Sequence, residues 1–316
     1  MKILVTGGCG YKGSILIPKL LKQSHKVISI DTQWFGNFLP KHKNLKNIKM
    51  NVNDIDKISL KGVNTIIHLA SIANDPMAEL NKNLSWETSA LGTFKLLNHA
   101  INNKVRRIIY ASSGSVYGIK SDLKVHEGLS LNPISLYNKV KMVTERILMS
   151  YKDKIEVFIV RPATVCGYSP RMRFDVTVNA LTISALKKGL INVYGGKQIR
   201  PNIHIDDITD LYLYLLKIKK KYSGIYNAGF ENASIIKIAQ SVSKITNAKI
   251  KVIENSDDPR SYRLDSSKLT NIGFKHKKTY IDAIFELKKL FVQKKLKNDL
   301  KFYSVKWLKS KKSISK

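Results

Sequence analysis

The chain has 316 residues, 43% of them hydrophobic, enough to bury a substantial core and more than one small domain needs. Lysine and arginine number 55 against 23 acids, a formal charge of +32. The lysines are spread along the whole chain with no aromatic residues interleaved, so they read as a solvated basic surface and not as a nucleic-acid footprint, though one that attracts a doubly charged diphosphate. The longest uncharged apolar run, Leu211 to Leu216, is far too short to cross a bilayer. Met1 and Lys2 run straight into a strand rather than a cleavable signal, and the two cysteines, Cys9 and Cys166, fit a reducing compartment, so a cytoplasmic location is expected.

The first strand is expected at Lys2-Ile3-Leu4-Val5. Thr6-Gly7-Gly8-Cys9-Gly10-Tyr11-Lys12-Gly13 follows, then an apolar-periodic helix from Ser14, then a strand Lys26-Val27-Ile28-Ser29-Ile30 that ends in Asp31. Strand, glycine turn, helix, strand and acid form the context of a dinucleotide fingerprint. Gly8 and Gly10 are expected to leave room for the pyrophosphate, Gly13 to let the helix lie close to the sheet, and the helix N-terminus to face the phosphates. Asp31 can accept both adenosine ribose hydroxyls. Thr32-Gln33 supplies no arginine for a 2′-phosphate, which favours NAD over NADP.

Thr32 to Asn47 reads as a loop with a short helix, and Ile48-Lys49-Met50-Asn51-Val52 as a third strand. Asp54, with Ile55 beside it, is placed to accept from the adenine amino group, or else caps the next helix. Thr65-Ile66-Ile67-His68-Leu69-Ala70 is a buried strand whose end, Leu69-Ala70, would touch the cofactor; His68 reads as a packed structural residue. A helix is expected from about Ser85 to Asn102 and a strand from Arg107 to Ser113, running into Gly114-Ser115-Val116-Tyr117-Gly118. Tyr137 and Lys141, four apart, share one face of a helix that runs to about Met149. With Glu156 to Pro162 as a further strand, the alternation specifies an α/β fold with a doubly wound parallel sheet. The expected division is a dinucleotide domain over 1–165, also receiving strands from about 200–230, and an interleaved substrate lobe over 166–316. A helix from about Val176 to Lys188 and strands at Ile191–Tyr194, Ile225–Ala228 and Lys249–Glu254 are expected in the second half. The tail beyond Phe291 is Lys-rich and reads as an amphipathic helix with a frayed end. His204, Asp206 and Asp207 sit at what reads as a strand end, and no metal site is expected there.

These motifs, TGGCGYKG, Asp31, HLA at His68 to Ala70, SSGSVYG at Ser112 to Gly118, YNKVK at Tyr137 to Lys141, RPATVCG at Arg161 to Gly167 and RPNIHIDD at Arg200 to Asp207, stand in the order seen in extended short-chain dehydrogenases. The chain resembles that class of nucleotide-sugar epimerases, dehydratases and dehydrogenases from Lys2 to about Ile284. The resemblance implies a Rossmann-type fold, NAD as cofactor, and hydride transfer at a nucleotide-linked sugar. It makes Tyr137 the base, Lys141 and the nicotinamide charge the groups that lower its pKa, and Ser113 the group that orients the sugar oxygen. It assigns Asn179, Arg200 and Arg260 to the nucleotide diphosphate, and implies a homodimer built on the helices at Ser85–Asn102 and Tyr137–Met149.

Dehydratases of the class carry an Asp-Glu pair where this chain has Gly114-Ser115, which disfavours 4,6-dehydration. Cys166 replaces a usual Tyr, Ser89 a usual Asn, and Tyr11-Lys12 a Phe-Ile type pair, which puts a cation near the pyrophosphate. With Asn74-Asp75-Pro76, Pro170-Arg171-Met172-Arg173 and the stretch Asp258 to Arg263, these are similar to bacterial enzymes that handle GDP-heptose for surface polysaccharide. The expected reaction is thus oxidation at C4 of a nucleotide-activated sugar. A UDP-hexose type 4-epimerase is the alternative. A non-catalytic member of the fold that binds RNA or a membrane surface is the rival from another class.

Overall fold

The expected alternation is realised in the computed structural model, which describes residues 1–254 and 261–311. The first half carries β1 (Lys2–Thr6), α1 (Gly13–Lys22), β2 (Lys26–Asp31), β3 (Leu45–Lys49), β4 (Thr65–His68), α2 (Asp75–Leu80), α3 (Lys82–Trp86), α4 (Gly92–Asn102), β5 (Arg107–Ala111), α5 (Leu136–Met149) and β6 (Glu156–Pro162). The second half carries β7 (Thr164–Cys166), α6 (Thr177–Lys188), β8 (Leu190–Tyr194), β9 (Ile199–His204), α7 (Ile205–Lys217), β10 (Gly224–Ala228) and β11 (Glu231–Ser234). It continues through α8 (Ile235–Thr246), β12 (Lys249–Ile253), α9 (Ser267–Asn271), α10 (Tyr280–Val292) and α11 (Ser304–Lys309).

The main sheet has seven strands in the order β10-β6-β5-β4-β1-β2-β3, every neighbour parallel. Helices cover both faces, which is why the strands read as continuous apolar runs. One face buries Ile3, Val5, Leu16 and Ile17 in a shared core with α7. The other buries Leu4, Ile66, Leu96, Leu97 and Leu148 against α4 and α5. The chain winds from β1 through β2 to β3, then returns to the far side of β1 at β4. At that reversal the loops after β1 and β4 part, and a crevice opens at the strands' C-terminal ends. The second lobe holds a three-stranded sheet, β11-β9-β7, and a parallel pair, β12-β8, packed with α6, α8 and α10.

The structure moves several expected boundaries. The third strand starts at Leu45 and stops at Lys49, and Val52–Lys57 is a 3₁₀ turn capped by the Asn51 side chain. The helix expected from Ser85 begins at Lys82 and is broken by one π turn, Glu87–Leu91, before α4. Of the strands between 200 and 230, only β10 joins the main sheet; β9 pairs with β7 and β11. The tail does not fray up to Lys309: α11 crosses back to the first lobe, where Trp307 Nε1 donates to the Trp34 carbonyl at 2.9 Å and Leu308 is buried beside Ile72 and Met77.

Candidate active site

A cleft of about 520 Å³ lies over the crevice, floored by the glycine loop and walled by the second lobe. Gly7, Gly10, Tyr11, Lys12, Gly13, Asp31, Leu69 and Ala70 all line it. The glycines do different work. Gly7 has φ +69°, and a Cβ there would meet the Ala70 backbone N at 2.7 Å. Gly13 lies so close to Gly8 that a Cβ would reach its carbonyl O at 2.4 Å, which locks α1 onto the loop. Gly8 itself backs onto the Ser29 hydroxyl, so it serves helix and sheet packing and not the open side of the cleft as expected. At Gly10 a Cβ would meet only the Gly7 carbonyl O, at 3.1 Å, and the loop stays open there. α1 starts without a side-chain cap; Ser14 N and Ile15 N bond the Gly10 and Lys12 carbonyls at 3.0 and 3.2 Å, and the positive end of the helix faces the cleft at Lys12 and Gly13. The Asp31 carboxylate accepts from Cys9 N at 3.0 Å and Gln33 N at 2.6 Å. Loop, helix terminus and acid fit a dinucleotide.

The residues expected at the adenine do not line the cleft. Ile55 is fully buried in the sheet core, and Asp54 pairs with Lys57 at 2.6 Å; neither lines the cleft. Met50, Asn51 and Val52 occupy that position instead, because β3 ends earlier than its sequence suggests.

Ser113, Tyr137 and Lys141 meet on the same cleft. Ser113 lies two residues beyond β5, capping a 3₁₀ turn at Gly114–Tyr117, and its hydroxyl bonds the Ser115 hydroxyl at 2.7 Å; Ser115 in turn donates to Asn138 Oδ1 at 2.5 Å. Tyr137 stands in the first turn of α5 and lines the cleft with Ser113. Burial first, then the Asp75 carboxylate, push its phenol up to about 12, while Ser113 and Arg173 pull it down. Lys141 departs from expectation. Its Nζ is buried, donates to the Ala111 carbonyl at 2.8 Å, and sits 4.8 Å from the Tyr110 ring centroid against 5.8 Å from that of Tyr137. Burial and the Lys12 charge hold it well below a free lysine. Phenol and ammonium line the same cleft, with the ammonium nearer the Ala111 carbonyl and the Tyr110 ring than the Tyr137 ring.

The remaining predicted residues divide. Arg200 lines the cleft with Tyr262. Asn179 does not: it is buried behind the wall, where it donates to the Tyr11 hydroxyl at 3.0 Å and the Arg173 carbonyl at 3.0 Å and accepts from Gly167 N at 3.0 Å. Tyr11 completes this bracket by donating to the Gly167 carbonyl at 2.6 Å. Arg260 lies outside the described residues. His204 caps α7, and Asp207 accepts the backbone N–H groups of Lys277 and Lys278 at 2.9 Å each, so both are committed to holding the second lobe. His68 is buried between the Thr6 and Thr93 hydroxyls at 2.6 and 2.8 Å, a structural position. Sequence reasoning gave no role to Arg171, Arg173 and Asp175, which line the cleft from the loop after β7; the basic Pro170–Arg173 run was their only local signal.

A parallel sheet with a glycine loop at its reversal point, and a serine, phenol and ammonium facing that loop, define a dinucleotide-dependent enzyme that works on a hydroxyl group. Residues 3–229 match the NAD dependent epimerase/dehydratase family, and the chain belongs to that family. A Bacillus subtilis (strain 168) protein described as an uncharacterized UDP-glucose epimerase, YtcB, is 33% identical over 267 residues, covering 79% of this chain and 83% of that one. The UDP-glucose 4-epimerase of Lactobacillus helveticus is 26% identical over 313 residues, covering 90% and 94%. Among solved structures, UDP-glucuronic acid 4-epimerase from Bacillus cereus in complex with UDP-glucuronic acid and NAD superposes with a TM-score of 0.78 at 26% identity, covering 92% of this chain and 100% of that one. The protein is an NAD-dependent enzyme of the nucleotide-sugar epimerase/dehydratase type.

Proposed function

We propose that this enzyme is a 4-epimerase of a nucleotide-linked sugar, with a UDP-sugar as the favoured substrate. The observation that carries the reading is the Ser113–Tyr137 pair facing the glycine loop with Ser115, not a carboxylic acid, beside it. Ser113 holds the sugar oxygen; Tyr137 takes its proton as the carbon gives up hydride, and gives the proton back when hydride returns to the other face. NAD, when bound, supplies the hydride acceptor. Arg200 is assigned to the nucleotide diphosphate, a task suited to a guanidinium fork. The relatives, mostly UDP-sugar 4-epimerases by name, support this reading over the one first drawn from sequence. That one, oxidation of GDP-heptose at C4 with release of the ketone, retains one observation in its favour: the Arg171–Asp175 loop lines the cleft.

The test is to incubate the purified protein with UDP-sugars, GDP-mannose and GDP-heptose and follow the products by NMR. A C4 epimer without net NADH supports the proposal. A released ketone with stoichiometric NADH supports the second reading. No product from any of them would overturn both. We also propose a homodimer through the α3–α4 run and α5, where Trp86, Leu91 and Phe94 are exposed; sedimentation as a monomer would exclude it.

A further inference from the structure

Three cationic side chains line the cleft beside the glycine loop: Lys12, Arg171 and Arg173. Arg173 is matched, with its guanidinium on Asp175 at 3.0 and 2.9 Å. Arg171 is not. It is 3% exposed, stacked on the Phe35 ring at 4.0 Å. Its Nη1 donates to the Met172 carbonyl at 3.2 Å and its Nη2 to the Ser304 hydroxyl at 2.9 Å, while its Nε has no partner. Among the described residues no carboxylate is within ion-pair distance of it. A buried guanidinium served by two neutral acceptors is expensive to keep, and an arriving anion repays that cost. Burial and Arg173 hold its pKa down at about 9, and Lys12 is depressed to about 8 by the same two causes.

We infer that Arg171 binds the pyrophosphate of the dinucleotide together with Lys12, and that Ser304 and Phe35 are its positioning residues. Position favours the dinucleotide over the sugar nucleotide. Phe35, on which the guanidinium stacks, lies on the loop that follows Asp31, and Asp31 lines the same cleft, so the guanidinium belongs to the adenosine half. The arrangement also ties cofactor affinity to the end of the chain. Ser304 opens α11, which is docked on the first lobe through Trp307.

The inference rests on NAD being the cofactor and not on the identity of the sugar, so it is read by binding without turnover. Wild type, Arg171→Met, Arg171→Lys and Ser304→Ala are titrated calorimetrically with NAD, NADP, ADP-ribose, adenosine and UDP. Arg171→Met is expected to weaken NAD and ADP-ribose about 10- to 100-fold and to leave adenosine and UDP within about twofold. Ser304→Ala and Arg171→Lys should show the same pattern with smaller losses, and they carry the test should Arg171→Met not fold. Unchanged NAD affinity in these variants overturns the inference. So does a loss confined to UDP, which would assign the guanidinium to the sugar nucleotide, or to NADP, which would assign it to a 2′-phosphate. A wild type that binds no NAD would instead overturn the cofactor assignment itself.

Discussion

Two sets of cations in this fold, one within the sheet and one around the cleft, are treated in opposite ways. Within the sheet, Arg161 bonds the Glu145 carboxylate at 2.6, 3.0 and 3.2 Å and the Tyr117 hydroxyl at 2.7 Å. Arg107 on β5 bonds Glu156, its register neighbour on β6, at 2.6 and 2.8 Å. Around the cleft Arg173 holds Asp175, whereas Lys12, Lys141 and Arg171 have carbonyls, hydroxyls and aromatic rings and, among the described residues, no carboxylate at ion-pair distance. Buried charge is normally paired. Where the fold alone is at stake the chain supplies the counter-charge; where a ligand arrives, it leaves the place open. The first set should therefore govern stability and the second binding and turnover.

The largest separation is expected between Tyr137→Phe and Glu145→Ala. Tyr137→Phe should lower kcat by about 10²- to 10⁴-fold, measured on whichever nucleotide sugar the wild type converts, with the denaturant midpoint unchanged. Glu145→Ala strands the Arg161 guanidinium and should cost about 3–5 kcal/mol in urea unfolding; replacing Arg161 by Met in the same chain should restore most of that. If Tyr137→Phe unfolds the protein and Glu145→Ala does not, the comparison is wrong.

Acid titration gives a smaller effect. Burial and then the Lys141 charge hold His68 down at about 3, below its value in an unfolded chain. The unfolded state then binds the extra proton, so His68 contributes stability that is present above pH 6.5 and lost as pH falls toward 3. The loss between pH 6.5 and 5 should be about 1–2 kcal/mol, and a His68→Asn variant should lack that slope.

The smallest effect is a fraction of a proton. Lys12 is depressed to about 8 by burial and by Arg173. A bound pyrophosphate favours its charged form, so NAD binding should take up protons above pH 8 and weaken as pH rises further. Calorimetry in buffers of different ionisation enthalpy reads this directly, and Lys12→Met should abolish the uptake.

How much of this could be read from the sequence depended on distance along the chain. The glycine loop and Asp31 were legible because strand, turn, helix and strand are contiguous and each glycine has a local reason. β3 was misplaced because it is an edge strand, half exposed, and its lysines broke the apolar pattern. That one error put the expected cofactor contacts at Asp54–Ile55, which lie off the cleft, where Asn51–Val52 line it. Asn179 has the right residue type in the right lobe, but its amide is spent behind the wall. Arg171 could not be read at all, since Phe35 and Ser304 reach it from far apart in sequence. The shared face of Tyr137 and Lys141 was legible from helical spacing, and both reach the cleft; the ammonium's bond to the Ala111 carbonyl was not, since it depends on how α5 packs on β5.

The Tyr11–Gly167–Asn179 bracket has a consequence for anyone recombining this enzyme with its relatives. One phenol at the start of α1 is bonded to two residues of the other lobe. A chimaera joined near residue 165 inherits only half of that joint from each parent. Unless the donor of the second half also brings an amide at 179, the hybrid's two lobes meet across a broken seam directly behind the cleft wall.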